Sequence, residues 1–138
     1  MKYKFLDHTA DIMFEAYGNS LNKLFENAAL ATEITMVNLR QIKPRIKKEI
    51  NLENEDLENL LFDFLAELIY LKDAELLLFS KAKIKIEKKE KYKLKALLGG
   101  EKLTNKHDQK VDVKAVTYHK FEIKKLNNKY VAKVILDI

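Results

Sequence analysis

Two aspartates stand where a carboxylate is costly. Asp11 opens the apolar run Ile12-Met13-Phe14, and Asp137 sits in the closing run Val134-Ile135-Leu136-Asp137-Ile138. A buried carboxylate without a partner is expensive. If both runs are strands and pair side by side, Asp11, Asp137 and a main-chain oxygen of Ile138 converge. Three oxygen donors of this hardness suit Ca²⁺ or Mg²⁺, with water or a partner's group completing the shell. Plainer readings stand beside this one. Asp7-His8-Thr9-Ala10-Asp11 packs two carboxylates, an imidazole and a hydroxyl into one short segment. Asp7 and Thr9 there read first as a polar turn bonding local backbone. Asp137 reads first as a frayed, solvated strand end.

Other chemistries find little to work with. The chain has no cysteine, which removes disulfides, thiolate metal sites and cysteine nucleophiles. Three glycines do not build a phosphate-binding loop or a dinucleotide fingerprint. Ser20 and Ser80 are the only serines, and neither sits in a nucleophile elbow. His8, His107 and His119 lack the i, i+4 pairing of a zinc helix. These gaps argue against self-contained catalysis.

Charge is the other chemical signal. Residues 1–80 carry nine Lys and Arg against fourteen Asp and Glu, whereas 81–138 carry seventeen against seven. The excess concentrates in Lys81 to Lys95, with eight lysines against Glu87 and Glu90. A solvated sheet face explains such a stripe; a salt-sensitive contact with RNA or an acidic partner is the functional alternative. Only Arg40 and Arg45 offer the bidentate fork that base readers favour. The stripe also lacks interleaved exposed aromatics for base stacking.

The elements that must position these groups follow from periodicity. The 138 residues, 47% apolar, suit one globular domain spanning 1–138. Residues 3–7 and 11–17 read as strands, the second ending at Gly18. Ser20 caps a helix that runs to about Val37, with Leu21, Leu24, Phe25, Ala28 and Ala31 at helical spacing. After Pro44, Arg45 to Leu52 alternates as a half-buried strand. Asn54 is the expected cap of a second helix, whose Leu57, Leu60, Leu61, Phe64, Leu65, Leu68 and Ile69 form one broad apolar face. From Phe79 the period becomes two: Ala82, Ile84 and Ile86, then Tyr92, Leu94 and Ala96, alternate with lysines as a hairpin. Gly99-Gly100 reads as a break, and His107-Asp108 as a polar loop. Two last strands, Lys114 to Ile123 and Tyr130 to Ile138, meet at Asn127-Asn128. The order ββαβα followed by strands predicts an α+β sandwich, an antiparallel or mixed sheet with two helices packed on one face. Leu57 to Leu71 is interrupted by Asp63 and Glu67, too polar to span a membrane, and no signal-peptide core follows Met1. A soluble, cytoplasmic protein is expected.

A resemblance covers nearly the whole chain. Phe5-Leu6-Asp7-His8-Thr9-Ala10-Asp11-Ile12 and Phe14-Glu15-Ala16-Tyr17-Gly18 resemble the opening signature of the archeases. Similarity continues through Leu24 to Ala31, Asp56-Leu57-Glu58, Leu60 to Leu65, Glu67 to Leu71, Gly100-Glu101 and Lys106-His107. It closes with Lys114-Ala115-Val116-Thr117-Tyr118-His119 and Leu136-Asp137-Ile138. The resemblance implies a non-catalytic accessory factor of the GTP-dependent tRNA-splicing RNA ligase, which joins cyclic-phosphate RNA ends. Such a factor promotes guanylylation of the ligase's active-site histidine, supports multiple turnover and relaxes nucleotide preference. It implies a second partnership, with tRNA or a tRNA cytosine methyltransferase as a chaperone-like modulator; neither membrane nor DNA is an expected partner. It also implies a divalent metal, commonly calcium, with Mg²⁺ or another divalent ion as the alternative, held at the positions of Asp11, Asp137 and Ile138. Asp7, His8, Thr9, Lys114 and His119 are the expected supporting or partner-contacting residues. The departures are Met13, where the family often has Gly, and Ala66, where it often has Asn; the first bears on packing beside Asp11.

Overall fold

Seven strands and two helices build the computed structural model, which describes residues 1–7 and 10–138. In chain order they are β1 (Tyr3–Leu6), β2 (Ile12–Gly18), α1 (Leu21–Met36), β3 (Ile46–Asn54), α2 (Leu57–Glu75), β4 (Leu77–Lys88), β5 (Tyr92–Lys102), β6 (Ala115–Leu126) and β7 (Lys129–Asp137). The strands form two sheets instead of one, ordered β1-β2-β7-β6 and β3-β5-β4. All pairings are antiparallel. Both helices touch both sheets, and one continuous core joins Phe14, Ala132 and Val134 of the first to Ile84, Leu94 and Ala96 of the second. The expected α+β class with two helices stands. The division into two sheets was hidden because period-two patterning reports faces, not partners.

Local signals explain most element ends. Ser20 caps α1 by accepting the Lys23 N–H at 3.2 Å. The α2 cap is Asp56, which accepts from the Asn59 N–H at 3.4 Å; the expected cap, Asn54, instead accepts the Asp56 N–H at 2.9 Å. A polar side chain two residues upstream therefore holds the true cap in place. Gly99 and Gly100 do not break the chain but lie inside β5. A Cβ on Gly100 would collide with the main chain of Leu78 and Phe79. Close strand approach beside the β4 irregularity between Phe79 and Lys81 is what requires a glycine there.

The outer strand β4 would expose unpaired N–H groups on its free edge, but α1 covers it. Ile86 N–H donates to Asn22 Oδ1 at 2.9 Å, Ile84 N–H to Glu26 Oε2 at 3.0 Å, and Phe79 N–H to Glu33 Oε2 at 3.3 Å. Residues 22, 26 and 33 are spaced to fall on one helix face. Glu58 of α2 similarly accepts the Ile123 N–H of edge strand β6 at 2.8 Å. Covered edges resist pairing with other chains.

Candidate functional site

Strand register brings the two aspartates together. β2 pairs antiparallel with β7, with Ile12 opposite Leu136 and Gly18 opposite Tyr130. Asp11 immediately precedes Ile12, and Asp137 immediately follows Leu136. The two acids therefore flank the same end of one strand pair. Asp137 is not frayed: it is half-buried, lies opposite Ala115 of β6, and its carbonyl accepts the Lys114 N–H at 2.8 Å. Asp11 is half-buried too. The neighbouring Met13 and Ile135 stand opposite each other and are buried, Ile135 completely. Met13 thus fills an apolar floor beside the acids. Asp7, just after β1, is exposed at the start of the β1–β2 connection. His8 and Thr9 lie outside the described residues.

The remaining candidates divide. Lys114 reaches the acid pair through its main-chain bond to Asp137. His119 does not: β6 leaves its register with β7 between Thr117 and Glu122, and His119 sits exposed in that bulge. Lys120 there takes φ 56°, a left-handed value that a side chain adopts at a cost. The bulge lays the Tyr118 ring flat on Phe62, centroids 3.7 Å apart and planes within 4°, with Phe121 edge-on to both. This aromatic cluster was missed in the sequence, where nothing distinguishes a bulge from a regular strand. His107 is likewise structural, its Nε2 3.0 Å from Glu101 Oε1 and its Nδ1 accepting the Thr104 N–H at 2.9 Å.

What the acid pair could offer a cation is two carboxylates plus main-chain oxygen. Among the described residues, no group of three or more His, Cys, Asp or Glu side chains is placed to hold a metal. The carboxylates are hard donors of the kind Ca²⁺ and Mg²⁺ accept, yet Ca²⁺ takes about 6–8 oxygens. The pair fits such an ion only in part, with the main chain and groups from outside needed to complete the shell.

The strongest titration anomaly lies elsewhere. Glu33 is 1% exposed, and burial pushes its carboxyl up to about 8, against the opposing pull of the Phe79 N–H and Lys72. Its Oε1 has no hydrogen-bond partner among the described residues. Lys72 offsets this only in part, because its ammonium is already held by Asp73 Oδ1 and Asp112 Oδ1, each at 2.6 Å, and by the Val113 carbonyl at 2.8 Å. Among the described residues no helix is long and apolar enough to cross a membrane.

Comparison with known proteins gives one answer. The archease protein family matches residues 3–138. An archease of Pyrococcus abyssi is 44% identical over 140 residues, covering 99% of each chain. The solution structure of a Methanobacterium thermoautotrophicum protein superposes with TM-score 0.90 at 38% identity, covering 99% of both chains. A crystal structure of a Thermotoga maritima archease, described as a possible chaperone, gives 0.66 at 24% identity, covering 98% of this chain and 96% of its own; it supports the fold alone.

Proposed function

The chain belongs to the archease family, and from that premise we propose that it is a non-catalytic accessory factor of a GTP-dependent tRNA-splicing RNA ligase, promoting the ligase's guanylylation and multiple turnover. The observation that supports the reading is the match over residues 3–138, together with a β2–β7 register in which Asp11 and Asp137 flank the same strand end. Asp11, Asp137 and the main-chain oxygen of Ile138 would hold a divalent ion, Ca²⁺ in the first instance. Such an ion supplies a compact positive charge suited to phosphate groups. The protein's own part is to hold two half-buried acids at one rigid strand end, over the floor formed by Met13 and Ile135. That leaves the open side of the shell to ligands from the partner.

The test is guanylylation of purified ligase with and without this protein. The parent chain raises the rate and permits repeated turnover. Asp11→Ala and Asp137→Ala lose the effect while keeping the parent's circular dichroism and Tm. Full activation by both variants would sink the site assignment. No change of rate with the parent chain would sink the functional reading itself.

A further inference from the structure

At the other end of the same two strands the chemistry inverts. Six residue steps separate Ile12 from Gly18, roughly 20 Å at ~3.4 Å per residue. Where Gly18 faces Tyr130, a cleft of about 870 Å³ opens between the ends of β1 and β2, the flank of α1 and the start of β4. Lys2, Lys4, Lys23, Lys81 and Lys129 line it. Its one acid, Glu26, is already engaged by the Ile84 N–H at 3.0 Å and Lys23 Nζ at 3.2 Å. Lys129 Nζ stands over the Tyr17 ring, 5.0 Å from its centroid. The buried Ser80 hydroxyl, on the wall of the cleft, has no hydrogen-bond partner among the described residues.

The cleft does not end there. Lys81 also borders a depression of about 620 Å³ on the solvent face of the β3-β5-β4 sheet, flanked by Lys47 and Lys83. Gly99 keeps its floor low, since a Cβ there would stand 2.9 Å from Pro44 Cβ and 3.6 Å from Lys47 Nζ. Lys83 in turn borders a third depression of about 380 Å³, walled by Lys85 and Lys95. The only acid along these two, Glu49, is taken up by Lys95 at 3.8 Å and by Asn51 Nδ2 at 2.8 Å. Lys2, Lys4, Lys47, Lys81 and Lys83 have no acid within ion-pair reach among the described residues. Three depressions joined through Lys81 and Lys83 therefore make one continuous cationic track.

We propose that this track binds the phosphodiester backbone of a single RNA strand, without reading its sequence. Lysine is depleted at protein–protein interfaces, whose centres are apolar. Leu97, 48% exposed, is the one large exposed hydrophobic side chain bordering the sheet-face depressions. A membrane surface would call for an apolar face to insert, which the track lacks. Lys23, Lys85 and Lys95 are already engaged by Glu26, Glu87 and Glu49; the unpaired Lys2, Lys4, Lys47, Lys81 and Lys83 instead match an extended line of phosphates. Lysine ammonium groups follow a backbone without the forked geometry that selects bases. The choice of RNA over DNA rests on the ligase reading; phosphate recognition itself does not.

The experiment is fluorescence anisotropy with a labelled 20-nucleotide single-stranded RNA between 50 and 200 mM KCl. With about five phosphate contacts and a single-strand slope of ~0.7 per contact, affinity for the parent chain falls about a hundredfold over that range. The triple variant Lys4→Gln, Lys47→Gln, Lys81→Gln removes three of the five unpaired lysines and leaves about two contacts, so its fall shrinks to about sevenfold. All three side chains are exposed, so Tm stays at the parent value. Lys106→Gln, off the track, keeps the parent curve, and so does Asp11→Ala, which separates this proposal from the ligase reading. No binding at 50 mM KCl, or an unchanged salt slope in the triple variant, would overturn it. So would displacement of the RNA by poly-glutamate as readily as by unlabelled RNA, which would assign the track to an acidic protein.

Discussion

Glu33→Gln should change how stability responds to pH more than it changes stability at any one pH. Burial lifts the Glu33 carboxyl far, from 4.5 to about 8. In the unfolded chain the acid ionises at its ordinary value; in the fold it keeps its proton until near pH 8. Its contribution is therefore fully present below pH 4.5 and is lost as pH rises toward 8. At ~1.4 kcal/mol per unit, the cost is under about 1 kcal/mol at pH 5 and on the order of 3 kcal/mol at pH 7. The amide of Gln retains an oxygen for the Phe79 N–H but leaves its NH₂ without an acceptor, a penalty of about 1–3 kcal/mol that does not vary with pH. Urea denaturation followed by far-ultraviolet circular dichroism at pH 5, 6, 7 and 8 measures both chains. The parent should lose about 2 kcal/mol more than the variant between pH 5 and pH 7. Parallel stability curves would mean that Glu33 is solvated or paired in solution, and the reasoning from its burial would fail.

Two further substitutions probe the frame. Gly100→Ala should cost at least about 2 kcal/mol, because the added methyl meets rigid main chain at Leu78 and Phe79 and not a side chain that can turn away; a Tm within a degree of the parent would show that β4 yields there. Asn22→Ala with Glu26→Ala uncovers the Ile86 and Ile84 N–H groups on the β4 edge, so about 1–3 kcal/mol should be lost per N–H left without a partner. Light scattering should then show more self-association than the parent; a double variant with the parent's mass and stability would show that α1 is not the guard of that edge.

Much of this was legible in the chain because the signals were local. Ser20 as a cap, the apolar face of α2 and the alternation of Ile84, Ile86, Leu94 and Ala96 each depend on residues within a few positions of one another. Asn127-Asn128 was legible for the same reason: the two-residue turn puts Asn127 at φ 55°, a conformation asparagine tolerates. What failed depended on distant partners. Gly99-Gly100 looked like punctuation because the atom that forbids a Cβ on Gly100 belongs to Leu78, on another strand. The β6 bulge and the Tyr118–Phe62 stack had no local signature. Glu33 looked like any other helix acid, since nothing in its neighbours announces that the β4 edge will close over it.

The acid pair shows the same limit from the other side. Asp11 and Asp137 are 126 positions apart in the chain, and each alone reads as an ordinary polar end. The β2–β7 register sets them at the same end of one strand pair. That same register fixes the opposite end, where Gly18 and Tyr130 lie beside the lysine-lined cleft. One rigid strand pair thus holds two carboxylates at one end and borders a lysine-lined cleft at the other. At an ionic strength of ~0.15 M the Debye length is about 8 Å, less than half the ~20 Å between the two ends. Neither end therefore neutralises the other, and each keeps its own ligand chemistry. On the readings proposed above, a phosphate chain at the basic end would not feel the acids, and a cation at the acid end would not feel the track's lysines. The separation lets substitutions at the two ends be read independently, which is why Asp11→Ala and the lysine variants should leave each other's phenotype untouched.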